Sequence, residues 1–360
     1  MRLEELGYKE SFERDRSASG LAEFGVGRVI AEHKERYIVS DGVHDYEGEV
    51  IGNLRFTATS RADFPAVGDW VAMSEYDEDK VLIHAVLPRR TVIARNAVGK
   101  QSDVQIIAAN VDIAIIVQAL DRDFSLNRLE RYLAICYQVK VDAVVVLTKT
   151  DLVSEAERED AVTKILQREK DLKVLAVSNV DESGYDELSA MIEPRKTYCL
   201  LGSSGVGKST LTNYLSGKQQ MQTGEISESS NRGRHVTSHR ELVPLVNGGL
   251  LIDNPGMREV GVADATEGLE EAFELIAELA RECKYADCIH TSEDGCAVLA
   301  AIESEELDAA AYENYQKLQR EQEHYEASVA ERRKKDKDFG KMVRGVKSDL
   351  RSMGGKFEGR

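Results

Sequence analysis

The 360 residues predict a multidomain chain: an amino-terminal β-barrel, a central α/β domain built on a parallel sheet, and a mostly helical carboxy-terminal domain. Three observations predict it. Between residues 25 and 95, short runs rich in β-branched and aromatic residues are broken by Gly, Asp and Pro about every ten residues. From 96 to 262, near-continuous apolar strands alternate with helical stretches, the pattern of a sheet covered on both faces. From 263 to 331 the sequence turns helical and acidic, and this segment carries three of the chain's five cysteines.

In the order of the chain, residues 1–24 read as a polar, partly disordered leader. The runs GRVIAEH, RYIVSDG, HDYEGEVIG, DWVAMSEYD and VLIHAVLP then supply five strands over 25–95, a number that suits an OB-type barrel. Trp70 follows a turn in PAVGDWV and is expected to anchor the barrel core or rim. In the central domain, VQIIAA, IAIIVQAL, AVVVLT, KVLAVS, TYCLLG and GLLID are the strand candidates, with helices over 126–138, 154–170 and 208–217. Leu269, Ala272, Phe273, Ile276 and Leu279 then share one helical face, a packing stripe.

Composition narrows the class. Hydrophobic residues at 42% and charged residues at 31% are ordinary for a globular protein. No apolar run approaches the ~18–20 residues of a membrane span. The charged start MRLEELGYKESFERDRSASG has no apolar core of a secretory signal, so a cytoplasmic protein is expected; a monomer without membrane contact is the expectation for its assembly. The net charge of -17 is uneven: residues 259–331 hold 20 acidic and 4 basic residues, whereas 332–360 hold 11 basic and 4 acidic. The basic tail at 332–360 is either a loose charged end or an arm that reaches phosphates.

The chemistry begins at Gly202-Ser203-Ser204-Gly205-Val206-Gly207-Lys208-Ser209, with Thr210 following, which matches G-x-x-x-x-G-K-S between an apolar strand and a helix. In that context glycines let backbone amides close around phosphates, and the helix start adds partial positive charge. Lys208 is expected to meet the β/γ oxygens, and Ser209 to ligate Mg²⁺. Asp253-Asn-Pro-Gly256 follows the strand GLLI, 44 residues after Ser209. There Asp253 is expected to hold Mg²⁺ through water, and the Gly256 amide to meet the γ-phosphate. Between them, Gly233-Arg-His235-Val-Thr237-Ser238-His239-Arg240 offers a hydroxyl for the metal shell: Thr237, with Ser238 as the alternative.

A guanine-reading Asp has no candidate after Gly256 except Arg333-Lys-Lys-Asp336 in the basic tail. Upstream, AVVVLT ends in Thr148-Lys149-Thr150-Asp151, close to N-K-x-D, and LKVLAVSNV brings Ser178 and Asn179 to a loop that resembles the one facing guanine O6. The order is therefore base motif, base loop, phosphate loop and switches, a circular permutation of the usual GTPase. Rejoining a domain's termini at its surface permits this, and it makes the second switch lead into the carboxy-terminal domain. Met257 stands where many GTPases place a water-orienting Gln. Slow intrinsic hydrolysis is expected, with His235 the candidate to position water.

Cys283-x4-Cys288-x-His290-x5-Cys296 sets three thiols and an imidazole within 14 residues. A closed Cys3His set suits one structural Zn²⁺ per chain. Cys136 and Cys199 lie in apolar patterns and are expected to be buried and inert.

Together PAVGDW, VLPRRTVIAR, DFSLNRLERYL, GSSGVGKST, GRHVTSHREL, DNPG and CKYADCIHTSEDGCAV resemble the ribosome small subunit-dependent GTPase A family over nearly the whole chain. The resemblance implies an OB barrel, a permuted GTPase binding Mg²⁺ with GTP or GDP, and a zinc-bearing helical domain. It implies GTP hydrolysis stimulated by the small (30S) ribosomal subunit late in its maturation and coupled to release, with 16S rRNA and other maturation factors as partners. It also points to a histidine in the His235 loop as the catalytic residue. Thr148 departs from the usual Asn, Asn254 from Thr, and Val236 from the first Thr of a usual run. An alternative keeps the ribosome and rRNA binding but makes nucleotide mainly a structural clamp.

Overall fold

The computed structural model describes residues 2–33, 36–96, 104–121, 124–217, 240–253 and 266–323. The expected basic tail at 332–360 lies outside them. Five strands make the barrel: β1 (Gly25–His33), β2 (Arg36–Ser40), β3 (Asp45–Val50), β4 (Trp70–Asp77) and β5 (Lys80–Val86). They pair in the ring β1-β2-β3-β5-β4-β1, in which only β3–β5 is parallel. β1 closes it by turning from β4 to β2 across an irregularity between Val29 and Ala31. The interior is filled by Val29, Val39, Tyr46, Val71, Val81 and Ile83. Gly27 is obligatory there, because a Cβ would come within 2.5 Å of Val39 Cγ1.

The leader departs from its expectation. It contains α1 (Glu10–Ala18), and Leu6 and Phe12 are buried. Tyr8 meets the Trp70 ring edge-on at 4.7 Å, and Phe12 lies between Trp70 and the Arg90 guanidinium. The segment is polar by count, but Tyr8 and Phe12 cover the barrel's tryptophan and Phe24 stacks on His84. Trp70 is accordingly a core anchor, 1% exposed.

A hairpin of β6 (Val92–Asn96) and β7 (Val104–Ala109) leads into the central domain. There β8 (Ile113–Ala119), β9 (Asp142–Thr148), β10 (Lys173–Ala176), β11 (Thr197–Leu201), β12 (Arg240–Pro244) and β13 (Leu250–Asp253) lie in the order β10-β9-β8-β11-β13-β12. All neighbours are parallel except β12, which runs antiparallel on β13. α3 (Leu126–Gln138), α4 (Glu155–Arg168), α5 (Tyr185–Met191) and α6 (Lys208–Ser216) complete it; α2 (Gly52–Thr57) belongs to the barrel. Ser125 caps α3 and a Ser154–Glu157 capping box starts α4, each satisfying amides that the first helical turn leaves without partners. Separate apolar clusters cover the two faces of the sheet. β12 was not foreseen, and it does more than edge the sheet: Ala31↔Glu241 and Glu32↔Arg240 pair it with β1, so barrel and sheet share one continuous hydrogen-bonded surface of 11 strands.

The carboxy-terminal part is helical: α7 (Thr266–Ala272), α8 (Glu274–Arg281), α9 (Ala297–Glu303) and a helix over 309–323, here α10. The stripe Leu269, Ala272, Phe273 and Ile276 is buried, with Leu279 packed at its edge. α7 lies so close to α3 that a Cβ on Gly268 would sit 2.0 Å from Ala134 O. Among the described residues, no helix is long and apolar enough to cross a membrane.

Candidate nucleotide site and metal cluster

From β8 the chain winds outward through β9 and β10, then returns to place β11 on the other side of β8. Ligands of open α/β sheets bind beyond the carboxyl ends of strands where the winding reverses. The loop Gly202–Gly207 leaves β11 at that point. Gly202 is pressed against β8, where a Cβ would lie 2.5 Å from Val117 O. Gly207, at φ +97°, starts α6. Val206 is buried as the loop's anchor, whereas Ser204, Gly205 and Ser209 are exposed, Thr210 is half-buried, and Ser203 receives a 3.2 Å hydrogen bond from Arg128 Nη1. Lys208 Nζ donates to Gly202 O at 2.7 Å and to Ser203 O, so its ammonium lies across the loop's mouth. Exposed amides, a helix start and an ammonium together form a receptor for phosphate oxygens.

Asp253 ends β13 and is buried, 6% exposed. The register Cys199↔Ile252 sets it beside the root of the phosphate loop. Gly256, His235, Thr237 and its alternative Ser238 lie outside the described residues.

The base motif is drawn to the same crevice. Thr148 Oγ1 donates to Val206 O at 2.6 Å and lies 3.3 Å from Gln118 O. Its hydroxyl thus joins strand β9 to the phosphate loop, so the Thr-for-Asn departure keeps a donor at this position. Lys149 adopts a left-handed conformation (φ +58°), and its Nζ pairs with Asp121 Oδ2 at 2.7 Å. Asp151 is exposed, and its Oδ1 accepts from buried Ser178 Oγ at 3.1 Å. Ser178 Oγ itself accepts from Val180 N at 3.2 Å, which shapes the following loop. Asn179 accepts from Tyr185 OH, and its Nδ2 is 3.4 Å from where a Cβ on Gly207 would be. A carboxylate beside a backbone loop can accept from paired N–H donors of a planar base while an amide meets its carbonyl.

Sequence reasoning missed Asp121 and Arg128. Asp121 had a signal, since it follows an apolar strand as Asp151 and Asp253 do. Arg128 had none, because nothing in its spacing distinguishes it from a solvated helix charge.

The ligand atoms of Cys283, Cys288, His290 and Cys296 lie within 4.8 Å of one another. His290 Nδ1 is 3.4 Å from both Cys283 Sγ and Cys296 Sγ, and those sulfurs are 3.9 Å apart. Bonds of ~2.3 Å to sulfur and ~2.0–2.1 Å to nitrogen give tetrahedral edges of about 3.8 and 3.5 Å, so the donor set fits Zn²⁺. Glu293 accepts from the amides of Ile289, Thr291 and Ser292, and those bonds hold its carboxyl down at about 2. Tyr312 OH, on α10, donates to His290 O at 2.7 Å and ties the cluster to that helix. All five cysteines are free thiols; burial pushes Cys136 up to about 12 and Cys199 well above its ordinary value, so neither offers a thiolate.

A phosphate loop at the switch point, fed by a base motif that precedes it in the chain, defines a circularly permuted P-loop GTPase. The family model for RsgA GTPase matches residues 86–263. The chain is 38% identical over 349 residues to "Small ribosomal subunit biogenesis GTPase RsgA 2" of Vibrio parahaemolyticus, covering 97% of this chain and 94% of that one. It is 41% identical over 332 residues to "Small ribosomal subunit biogenesis GTPase RsgA" of Opitutus terrae, covering 89% and 90%. The fold is similar to that of YjeQ from Thermotoga maritima (TM-score 0.59, 23% identity, 81% of this chain and 96% of that one). It is also similar to that of YloQ, described as a circularly permuted GTPase (TM-score 0.57, 22% identity, 82% and 93%). The chain belongs to the RsgA GTPase family, and it is a GTP hydrolase of ribosome biogenesis.

Proposed function

We propose that this chain hydrolyses GTP during late maturation of the small ribosomal subunit in the cytoplasm, as a monomer, and that the subunit both stimulates hydrolysis and is released by it. The observation that carries the nucleotide part is the Thr148–Val206 bond, which brings the base motif and phosphate loop into one crevice although the chain supplies them in reverse order. In this reading Asp151 accepts from the guanine N1 and N2 hydrogens, while the loop after Ser178 and Asn179 meets O6. Lys208 and the amides of 202–210 hold the phosphates. Ser209, Asp253 and Thr237 would hold Mg²⁺, which supplies charge neutralisation on the β- and γ-phosphates. Gly256 would meet the γ-phosphate, and His235 would orient water. Cys283, Cys288, His290 and Cys296 would hold a structural Zn²⁺.

The names of the relatives, which specify small-subunit biogenesis, support the partner, and with it 16S rRNA and other maturation factors. Met257, in place of a water-orienting Gln, favours dependence on that partner, and equally a second reading in which nucleotide is chiefly a clamp. Rates of GTP and ATP hydrolysis with and without purified small subunits separate the two. The proposal expects GTP-selective turnover that rises steeply with subunits and falls in His235→Ala more than GTP binding does. Turnover indifferent to subunits would leave the clamp; equal loss of binding and turnover would make His235 structural.

A further inference from the structure

We propose that α3 couples the carboxy-terminal helix α10 to the phosphate loop, with Arg128 as the positioning residue at the loop end. The first two turns of α3 carry both contacts. Arg128 Nη1 donates to Ser203 Oγ at 3.2 Å. Two positions on, Glu130 is buried and accepts from Asn314 Nδ2 of α10 at 2.5 Å and from Arg168 of α4. Arg131 forms a two-pronged pair with Glu321 of α10, both bonds at 2.8 Å. Asn314, Leu318 and Glu321 are spaced as one helical face, and Leu318 between them is fully buried. Arg168 also pairs with Asp308 just ahead of α10.

The physical case rests on stiffness and on charge. Arg128 and Arg131 are three residues apart, about 4.5 Å of helix rise, so a displacement of α10 that carries Arg131 carries Arg128 with it. Packed helices respond to such forces by shifts of about 1–2 Å rather than by bending. α3 is packed along its whole apolar face (Leu129, Tyr132, Leu133 and Cys136 are buried), so it moves as a unit. The Glu130 carboxylate cannot let go gradually. Burial already pushes its pKa up against the pull of Arg168 and Asn314, and a buried charge that loses a partner is costly. Parting α10 from α3 would strand this carboxylate, so the Glu130–Asn314 bond holds the two helices in one arrangement. Tyr312 anchors the same α10 to the metal cluster through His290 O. This gives the carboxy-terminal domain a route to the phosphate loop distinct from the chain connection through 254–265. Anything that pulls on the metal-binding region would alter nucleotide affinity from the side of Ser203.

The inference rests on the reading that nucleotide phosphates occupy the 202–209 loop, so the test includes Lys208→Ala. Full-length protein is titrated with a fluorescent GDP analogue and with a non-hydrolysable fluorescent GTP analogue in the absence of any partner, and melting is followed separately. Arg128→Ala is expected to weaken binding about tenfold, the scale of one charged hydrogen bond. Glu321→Gln, which keeps its volume, is expected to weaken binding about threefold, a fraction of that loss, although it sits on another domain. The double variant is expected to be no weaker than Arg128→Ala alone, the non-additivity of a shared link. The exchanged pair Arg131→Glu with Glu321→Arg is expected to return binding to near the parent, which a merely structural loss would not do. Unchanged affinity in Glu321→Gln, or losses that multiply in the double variant, would overturn the coupling. Full binding by Lys208→Ala would overturn the phosphate-loop reading, and the coupling with it.

Discussion

Replacing Thr148 by valine removes one hydroxyl and preserves volume, so its effect can be worked from the bonds that hydroxyl makes. Thr148 is fully buried, and Val206, whose carbonyl it meets at 2.6 Å, is 1% exposed. Valine would leave the Val206 carbonyl without this donor, and no water can enter readily to replace it. A buried polar group that loses its partner costs about 1–3 kcal/mol. If the loop keeps its shape, that cost appears as lower stability of the nucleotide-free protein and little change in affinity. If the loop relaxes by turning the carbonyl outward, the Gly207 amide, which shares its peptide plane, turns with it, and the same energy appears as weaker nucleotide binding: about 5- to 150-fold. Two glycines at φ +82° and +97° flank Val206 and leave the peptide units free to turn, so the second outcome is expected. Titration with fluorescent GDP, alongside melting with and without GDP, resolves the two. Thr148→Asn carries an amide that can donate to the same carbonyl and is expected to recover most of the loss. A valine variant with parental affinity and parental melting temperature would refute the claim that this hydroxyl joins base motif to phosphate loop.

Asp151→Asn is expected to weaken guanine nucleotides and favour xanthosine nucleotides, because an amide presents donors where guanine also does; competition binding reads this, and an unchanged preference would move the base motif elsewhere. Metal analysis is expected to find one zinc per chain, and chelation or Cys288→Ser to lower carboxy-terminal stability, since structural zinc contributes on the order of 10 kcal/mol in small zinc peptides. Glu169 supplies a pH dependence. Burial, helped by Glu130, Glu274 and Glu271 and opposed by a hydrogen bond from Tyr137, raises its carboxyl from 4.5 to about 7. The folded protein then holds a proton that the unfolded chain releases, so this contribution is full below about 4.5 and is lost as pH rises to about 7. Glu169→Gln is expected to flatten the decline in melting temperature over that window; an identical slope in both proteins would remove the assignment.

Much of this was legible in the sequence for a mechanical reason: each motif sits at the end of an apolar strand, and parallel strands bring their carboxyl ends together. Once AVVVLT, TYCLL and GLLI are recognised as strands, Thr148, Gly202 and Asp253 must share an edge. The four metal ligands were equally legible, because local spacing almost alone determines whether they can meet. What escaped detection depends on contacts distant in sequence. α1 was hidden by its composition, since Tyr8 and Phe12 find their partner in Trp70, far along the chain. β12 (RELVP) has too few apolar residues to register as a strand, and its partners β13 and β1 lie on opposite sides of it in different domains. Arg128 pairs across 75 positions, and Arg131 across 190.

The junction of barrel and sheet is the largest of these unforeseen features, and Arg28 explains why it holds. Its guanidinium is buried at 1% exposure and spreads its donors over four segments: Gly68 O at 3.2 Å, Leu6 O, Asn110 O at 3.5 Å and Thr197 Oγ1 at 2.9 Å. Burial lowers its pKa to about 10, and Asp112 and Asp69 oppose that shift, so it remains charged at neutral pH. Asp69 is in turn held by Arg89 through bonds of 2.8 and 2.7 Å. A guanidinium so placed has no cheap alternative: sliding the barrel against the sheet would strand a charge away from its acceptors, a cost of several kcal/mol. The β1–β12 pairing resists the same motion through the backbone. β12 begins at Arg240, three residues beyond Thr237, and Arg240 itself bonds Ile106 O at 2.9 Å and Glu32 of β1 at 3.4 Å. The barrel therefore grips β12, and through it the edge of the sheet that carries Asp253 on the neighbouring β13.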